Sequence, residues 1–526
     1  MYSSDKMNRI LPLVLVTLVL LLSSCSERSE YGEAGDYEKL GAVSTDTTAP
    51  TISSLSPTDN STYNSPATTV AVTFSNKMAT GSVTTNTSDT SCSGSYQLSS
   101  DNFTTCIKMS ATPSASDNDT AFTATPADNL SNGTTFKLRI TTSAKDTSSN
   151  SLASAYTTNG FTTSPSGTGT IKGSVKMDNG SAFSGVTVSF SIYGSTVTTE
   201  ETDSNGDFNK SSLGLGIYTL TYTETNYLPA IQSGTLTTDN QTLVAGTQTM
   251  LSDSCSGGDI SGTIKNAVTG NALSDVSISV RSGKNVRSGD TISGKTDTTD
   301  SNGAFTLSSM DAGSYTIQGS KDNWISTYFN VRSCSGRPSK NSNMSETLAD
   351  GAMRIVVSWE GTEDFDSHLE IPCTSGTCSG SNKNDKSHLW YSVNQTVAVT
   401  YSGVSTKDYH DWGNGDYVTL DQDNTVGSAS TCGTGCGPET ITISKLRSGT
   451  YRYHVLAFDQ SGDNTTHIAD NGTVVQVLYN IDQSKFFDVP NSAGDLWTVF
   501  DFNISSGFNA LDNMSSEGTS ANVDDH

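Results

Sequence analysis

The chain has few charged residues for its length, and positive charge is especially scarce. Charged residues make up 16% of the 526, and 29 Lys and Arg stand against 54 Asp and Glu, which gives a net charge of −25. Because binding to a phosphate backbone needs clustered cations, nucleic acid is not an expected partner. Ser, Thr, Gly and Asn fill the polar positions, and hydrophobic residues are only 33%. This composition favours β-sheet modules, and the length predicts roughly three or four domains.

Motifs of common enzymes are also missing. The sequence contains no nucleophile elbow, no zinc-protease helix motif and no recognisable Ser, His, Asp order. Residues 289–296 (GDTISGKT) do match the phosphate-loop pattern. That motif needs a helix after the loop, whereas Lys295 and Thr296 are predicted to begin a strand, so we expect no nucleotide binding. These absences predict a protein that is not an enzyme.

One apolar run stands out, at residues 10–22, where only Pro12 and Thr17 interrupt it. It is too short for the ~20 residues that span a bilayer, but it suits the core of a signal peptide. Residues 22–25 (LSSC) follow directly.

These four residues resemble the lipobox of bacterial lipoproteins, in which the Cys is acylated and becomes the mature N-terminus. The resemblance implies that residues 1–24 are a signal peptide and that Cys25 carries the lipid anchor. Ser26, which is not Asp, implies the outer membrane or the cell surface. Several acyl chains on one Cys give stable membrane anchoring.

The cysteine count is odd, and the lipid anchor explains the ninth. An exported chain meets an oxidising environment, where disulfides persist. The spacing of the other eight predicts four local pairs: Cys92 with Cys106, Cys255 with Cys334, Cys373 with Cys378, and Cys432 with Cys436. The spacing of the last four also permits a zinc site, which stays open as an alternative.

Residues 25–45 are polar and acidic and are predicted to be a lipidated stalk.

The pattern of the residues that follow the stalk predicts β-sandwich modules. Residues 46–165 alternate apolar and polar positions, as in 70–74 (VAVTF) and 135–140 (TFKLRI), between Gly, Asn and Pro turns. Through residues 48–50 (TAP), 133–136 (GTTF) and 161–163 (FTT), among others, this segment resembles the bacterial Ig-like domains of surface-layer proteins. Members act as spacers or binding modules, and the resemblance implies no catalytic residue.

An internal repeat follows. Residues 171–175 match 260–264 at an offset of 89, and residues 202–206 (TDSNG) match 299–303 (TDSNG) at an offset of 97. The difference predicts an eight-residue insertion in the second copy, in a hairpin loop within residues 281–295. In each Ser-Asn-Gly turn the Gly is expected at positive φ and the Asp in an Asx turn. The copies, residues 169–251 and 255–349, resemble carboxypeptidase regulatory-like domains, which are prealbumin-like sandwiches with a carbohydrate-binding-like fold.

The last third is chemically distinct. It holds four of the five Trp, and it has 23 acidic against 8 basic residues up to the end of the chain. Residues 351–506 are predicted to form a larger acidic β-sandwich, and residues 507–526 a disordered tail. The predicted strands are residues 353–359, 396–401, 439–444, 450–458, 473–479 and 496–502. The segment resembles an uncharacterised module of bacterial surface proteins, which implies no activity.

Candidate ligand groups concentrate in this segment. Asp364, Asp366, Asp421 and Asp423 form two pairs whose oxygens suit Ca²⁺, although turn capping through hydrogen bonds to backbone amides is the favoured role. Together with Glu439 they are the candidate carboxylates of a hydrolase, an alternative function. Trp390, Tyr391 and Trp412 are candidates for stacking on a glycan, and half of such a cluster is expected in the core. The candidate ligands for a transition metal are His368, His388, His410, His454 and His467, for which packing roles are favoured.

Together these features predict an all-β, multidomain string of sandwiches behind a lipoprotein signal peptide. The expected function is a non-enzymatic surface protein for binding, adhesion or structure, held by its lipid anchor at the outer membrane or cell surface. A polysaccharide-binding surface protein is the alternative, with a glycan or another surface protein as partner. These features require no cofactor, and Ca²⁺ is the candidate cofactor.

Overall fold

A computed structural model of the chain describes residues 46–334, 340–359, 363–372, 386–390, 409–411, 417–422, 438–458, 467–470, 473–479, 483–517 and 523. Strands dominate the described residues, apart from a 3-10 turn at Thr80–Ser82 and the four-residue helix α1 at His467–Asp470. The all-β prediction is confirmed. Among the residues described, no helix has the length and apolar character needed to cross a membrane.

The first module has two sheets over a single apolar core. Its strands are β1 (Ile52–Ser56), β2 (Val70–Phe74), β3 (Tyr96–Ser99), β4 (Ser114–Ser116), β5 (Ala121–Ala124), β6 (Thr135–Ile140), β7 (Tyr156–Thr157) and β8 (Phe161–Thr162). One sheet has the order β1-β2-β5-β4, and in the other β6 pairs with β3, β7 and β8. Alternation explains the layering, since Val70, Val72 and Phe74 are buried while the residues between them are partly exposed.

The two repeats have equivalent strands. The first repeat comprises β9 (Thr168–Met177), β10 (Thr187–Ile192), β11 (Ser195–Glu201), β12 (Asp207–Gly214), β13 (Gly216–Thr223), β14 (Ala230–Leu236) and β15 (Thr242–Met250). The second comprises β16 (Gly258–Asn266), β17 (Ser277–Ser282), β18 (Thr296–Thr298), β19 (Ala304–Met310), β20 (Gly313–Ser320), β21 (Trp324–Ile325), β22 (Thr327–Ser333) and β23 (Ser342–Glu346). In each repeat the first strand pairs in parallel with the last strand, β9 with β15 and β16 with β23.

The Ser-Asn-Gly turns of the two repeats have the same geometry. Gly206 has φ +78° and Gly303 has φ +70°. In each turn the preceding Asp accepts two backbone N–H groups, at 2.8 and 2.9 Å on Asp203 and at 2.8 Å for both on Asp300. The predictions of positive φ and of Asx turns are therefore confirmed.

Replacing either turn glycine is expected to destabilise its own repeat. In Gly206→Ala the new Cβ would lie 2.4 Å from the Val175 carbonyl oxygen, and in Gly303→Ala 2.4 Å from that of Ile264. Strain and positive φ together predict a loss of about 2 kcal/mol in the free energy of unfolding of each variant. Urea unfolding measures it, with Gly214→Ala as the control, because a Cβ there meets nothing within 4 Å. Equal stability of Gly206→Ala and Gly214→Ala would contradict this account.

The predicted insertion lies where the offset placed it. In the first repeat Tyr193 and Gly194 join β10 to β11 in a tight turn, whereas residues 283–295 separate β17 from β18 in the second. The start of this loop, residues 283–287, is called the bracket below because it contacts three modules. Lys284 extends β14 of the first repeat, donating its N–H to the Ile231 carbonyl at 2.7 Å and accepting from the Ser233 N–H at 3.0 Å.

The C-terminal sandwich has a six-stranded and a five-stranded sheet. Its strands are β24 (Met353–Ser358), β25 (Phe365–Pro372), β26 (Lys386–Leu389), β27 (Tyr409–Asp411), β28 (Tyr417–Gln422), β29 (Glu439–Ile443), β30 (Thr450–Ala457), β31 (Val474–Tyr479), β32 (Gln483–Asp488), β33 (Leu496–Asn503) and β34 (Gly507–Ser515). The sheet orders are β27-β28-β29-β24-β31-β32 and β26-β25-β30-β33-β34. Trp497, Phe500 and Tyr453 are fully buried in the core between them.

Strand β34 corrects the prediction that the chain beyond residue 506 is a disordered tail. It pairs antiparallel with β33 over residues 507–515. The Phe508 ring lies 4.7 Å from that of Phe502 and 5.2 Å from that of Phe500, so one aromatic side chain ties a polar segment to the core. An edge strand needs apolar residues on one face only. The polar composition of residues 507–515 therefore gave no indication of a strand.

Candidate functional site

Strand β25 carries polar side chains into a buried environment. All eight of its residues are buried, although Asp366, His368 and Glu370 are polar. Since side chains alternate along a strand, Phe365, Leu369 and Ile371 face the core while these three lie on the opposite face. Burial of three ionisable groups on one face of one strand is uncommon, so this face is a candidate functional site.

Strand pairing brings three histidines to this face. His368 lies opposite His454 of β30, and Glu370 lies opposite His388 of β26. His454 in turn lies opposite Thr498 of β33. We call His368, His388, His454, Glu370 and Trp390 the histidine cluster.

Hydrogen bonds and ring stacking hold the cluster together. The Nδ1 atom of His368 lies 3.0 Å from Nε2 of His388, and the Trp390 ring stacks on both imidazoles with centroid distances of 5.7 and 5.9 Å. His454 bridges Glu370 Oε1 at 3.3 Å through Nε2 and Thr498 Oγ1 at 3.0 Å through Nδ1. Trp390 thus forms one wall of a polar cluster, and its ring already stacks on two histidines.

Burial controls protonation in this cluster. It lowers the pKa of His368 well below the usual value, and the nearby His388 and His454 act in the same direction. Burial also lowers the pKa of His454, while the Glu370 carboxylate opposes that shift. Both imidazoles are therefore neutral at pH 7, and the Nε2 atom of His368 has no hydrogen-bond partner among the described residues.

Neutral imidazoles can accept a proton or bind a metal ion. Within the described ranges, however, no group of three or more His, Cys, Asp and Glu side chains has the arrangement needed to hold a metal ion. His410 and His467 lie in described backbone, in β27 and α1, but their side chains are outside the described part.

The predicted aspartate pairs are distributed over two sheets. Asp366 lies on β25, with Asp364 just before it, whereas Asp421 lies on β28 of the other sheet. Asp421 accepts hydrogen bonds from the hydroxyl groups of Thr419, at 2.6 Å, and Thr442, and burial raises its pKa. Asp366 and Asp421 therefore lie in different sheets of the sandwich, and Asp423 lies outside the described residues.

Glu439 has a structural position. It is fully buried, and its Oε2 accepts the backbone N–H of Ser367 at 2.6 Å. The Ser367 hydroxyl lies 2.8 Å from that of Tyr453. Glu439 thus links β29 of one sheet to β25 of the other.

The remaining candidates are partly described. The disulfides Cys92–Cys106 and Cys255–Cys334 are formed, with Cα atoms 4.9 and 5.5 Å apart. Outside the described residues lie Cys25, Cys373, Cys378, Cys432, Cys436, Tyr391 and Trp412. In the phosphate-loop pattern, Thr296 begins β18, and the Lys295 ammonium donates to the carbonyl groups of Ser308 and Ser309 at 2.9 and 2.8 Å.

Sequence reasoning missed Glu370 and the meeting of His368 with His388 and His454. A signal was present, because Asp366, His368 and Glu370 alternate with Phe365, Ser367 and Leu369 at the period of a strand. His388 on β26 and His454 on β30 lie 20 and 86 residues after His368 in the chain. Only the pairing of their strands with β25 brings them together.

Comparison with solved structures gives distant similarities only. A streptococcal ancillary pilin is 13% identical with a TM-score of 0.15, over 45% of this chain and 80% of the pilin. The TIE protein of Bacillus anthracis is 12% identical with a TM-score of 0.16, over 85% of this chain and 74% of that protein. The N-terminal part of the bacterial surface-layer protein SbsC is 15% identical with a TM-score of 0.18, over 36% and 44%. These TM-scores are too low to support an inference.

No curated protein is significantly similar to the chain. One family does match in sequence, the bacterial Ig-like domain, over residues 46–163. The match coincides with the first module, whose strands run from Ile52 to Thr162. Residues 46–163 are therefore a bacterial Ig-like domain, and the family assignment covers this part of the chain alone.

Proposed function

We propose that the protein is a non-enzymatic bacterial surface lipoprotein for binding or adhesion. It is anchored through Cys25 at the outer membrane or cell surface, and its first three modules project the C-terminal sandwich outward. The observation that carries the proposal is the bacterial Ig-like domain at residues 46–163, which lies directly after the predicted anchor and stalk. The disulfides Cys92–Cys106 and Cys255–Cys334 support export, because such bonds persist in oxidising compartments.

The bracket supports a presenting role for the repeats. The Lys284 ammonium donates to the carbonyl groups of Ala245, at 3.2 Å, and Thr247, at 3.0 Å, in the first repeat. It also lies 3.7 Å from Asp488 Oδ1 in the C-terminal sandwich. One side chain thereby joins three modules. Such contacts are what a scaffold needs to hold its last module in a fixed orientation.

The anchor is tested by Cys25→Ser in cells that express the full chain. We expect the variant to lose incorporation of labelled fatty acid and to leave the membrane fraction, because the acyl chains supply the membrane affinity. Ser26→Ala is the matched control, since it changes the next residue and keeps the Cys. Surface display is read from protease digestion of intact cells.

Two results would refute the proposal. One is fatty-acid labelling that persists in Cys25→Ser, which would show that Cys25 is not the lipidated residue. The other is complete protection of the Ig-like domain from protease in intact cells whose outer surface is otherwise digested, which would place the protein inside the envelope.

A further inference from the structure

A cavity of about 530 Å³ lies where the two repeats meet the C-terminal sandwich. Its walls come from β9 and β15 of the first repeat, from the bracket and β22 of the second, and from β32 of the sandwich. The volume falls in the range of small-molecule sites, which is about 300–1,000 Å³. Sites formed between modules are also a common location for ligands.

The cavity concentrates positive charge in an acidic protein. Its lining includes five cationic side chains: Lys176, Lys284, Arg287, Arg332 and Lys340. Two acidic side chains, Asp178 and Asp488, line it as well, which leaves a formal charge of +3 for the described part of the lining. An even spread of 29 Lys and Arg over 526 residues would place about one or two among the 26 described lining residues. The surplus of cations in a chain of charge −25 makes the cavity attractive to anions.

Part of this charge is held in place by the fold. The Arg287 guanidinium lies 3.6 Å from the Phe486 ring centroid, and its Nη2 donates to Asn285 Oδ1 at 3.2 Å. Asn285 also donates to Asp488 Oδ2 at 3.0 Å. Burial lowers the pKa of Arg287 to about 10, so it stays protonated at pH 7. A fixed cation needs little reorganisation when an anion arrives.

The wall also contains neutral polar groups that suit hydroxyl groups. Asn179, Asn330, Thr247 and Gln248 line the cavity beside Tyr328. Among the described residues, Thr247 Oγ1, Gln248 Oε1 and Arg287 Nε have no hydrogen-bond partner. The Gln248 amide oxygen can only accept a hydrogen bond and the Arg287 Nε–H can only donate one, and both atoms lie buried in the cavity wall.

We propose that this cavity binds a small hydroxylated organic anion, namely a sugar that carries a carboxylate or a phosphate group. The cationic side chains bind the charged group, and the amide and hydroxyl side chains bind the sugar hydroxyls. Charge-assisted hydrogen bonds give such sites most of their affinity. The inference rests on the binding role proposed above and names the ligand class for it.

Titration calorimetry of the full-length protein in mild detergent tests the inference. The probes are glucuronate and glucose 6-phosphate, with glucose and inorganic phosphate for comparison. We expect at least one anionic sugar to bind at least tenfold more tightly than either comparison compound, and its Kd to rise with salt concentration. Preference for glucuronate or for glucose 6-phosphate identifies the charged group.

Variants locate the binding. Arg332→Gln and Lys176→Gln, in different repeats, are each expected to raise the Kd at least tenfold. Lys265→Gln is the control, since Lys265 is an exposed cation of the second repeat outside the cavity. Unchanged affinity in both cavity variants, binding of glucose as tight as that of the anionic sugars, or no binding of either anionic sugar would overturn the inference. These outcomes leave the anchoring test with Cys25→Ser unaffected, so the two proposals fail separately.

Discussion

Acidification below pH 6.5 is expected to destabilise the C-terminal sandwich through His368 and His454. Burial lowers the pKa of both imidazoles in the folded protein. Below the unfolded value of about 6.5, the unfolded chain binds protons that the folded chain does not, so stability is lost as the pH falls. A histidine that stays neutral when folded loses roughly 1 kcal/mol of stabilisation over the whole window from pH 7.5 to pH 5.5. The two histidines together contribute a loss on the order of 2 kcal/mol between pH 7.5 and pH 5.5. Asp512 opposes this loss, because burial raises its pKa to about 7 and its folded carboxyl binds a proton in this window that the unfolded chain does not.

Urea unfolding followed by tryptophan fluorescence measures this loss, because four of the five Trp lie in the last third of the chain. In His368→Asn the side-chain amide can replace the hydrogen bond to His388 but cannot titrate, so the His368 share of the loss, about 1 kcal/mol, should disappear. The Ig-like domain contains no His and serves as an internal reference. An unchanged pH dependence in His368→Asn would assign the effect to other groups.

The substitution Lys284→Met is expected to uncouple the C-terminal sandwich from the two repeats. Methionine retains the apolar stem but loses the ammonium that binds two carbonyl groups of the first repeat and faces Asp488. The side chains of Lys284 and Asp488 are 15% and 12% exposed, so solvent screening reduces the effect below the 3–5 kcal/mol of a fully buried pair. We expect about 2 kcal/mol, which corresponds to a roughly thirtyfold rise in local opening.

Hydrogen exchange detects this opening at β15, the bracket and β32. Lys321→Met is the matched control, because Lys321 also donates to a carbonyl, that of Ser274 at 2.8 Å, and faces an Asp, but within the second repeat. Equal exchange at β32 in the two variants would show that Lys284 does not couple the modules.

Much of the architecture was predictable because its signals are local. Alternation of apolar residues places Val70, Val72 and Phe74 in the core of the Ig-like domain. The TDSNG sequences encode two turns whose geometry depends only on one Asp side chain and one glycine. The change of offset between repeat blocks located the inserted loop, since it needs only a comparison of the chain with itself.

The site was less predictable because it is built from distant strands. The segment containing β25 was not predicted as a strand although its residues alternate, and its polar side chains prove to be buried. The aspartate pairs looked equivalent in sequence, yet strand order places Asp366 and Asp421 in different sheets. Polar composition also concealed β34, which one aromatic residue attaches to the core.

The amino-acid sequence thus determined the β class, the Ig-like domain and the repeats, because each depends on short-range patterns or on self-similarity. It also determined two cysteine pairs, because the cysteines fall two to a module. Tertiary structure alone decided which polar groups meet. Strand register assembles His368, His388, His454 and Glu370, and the packing of three modules around the bracket gathers five scattered cations at one cavity. Both arrangements depend on pairings between residues far apart in the chain, for which the sequence carries no local signal.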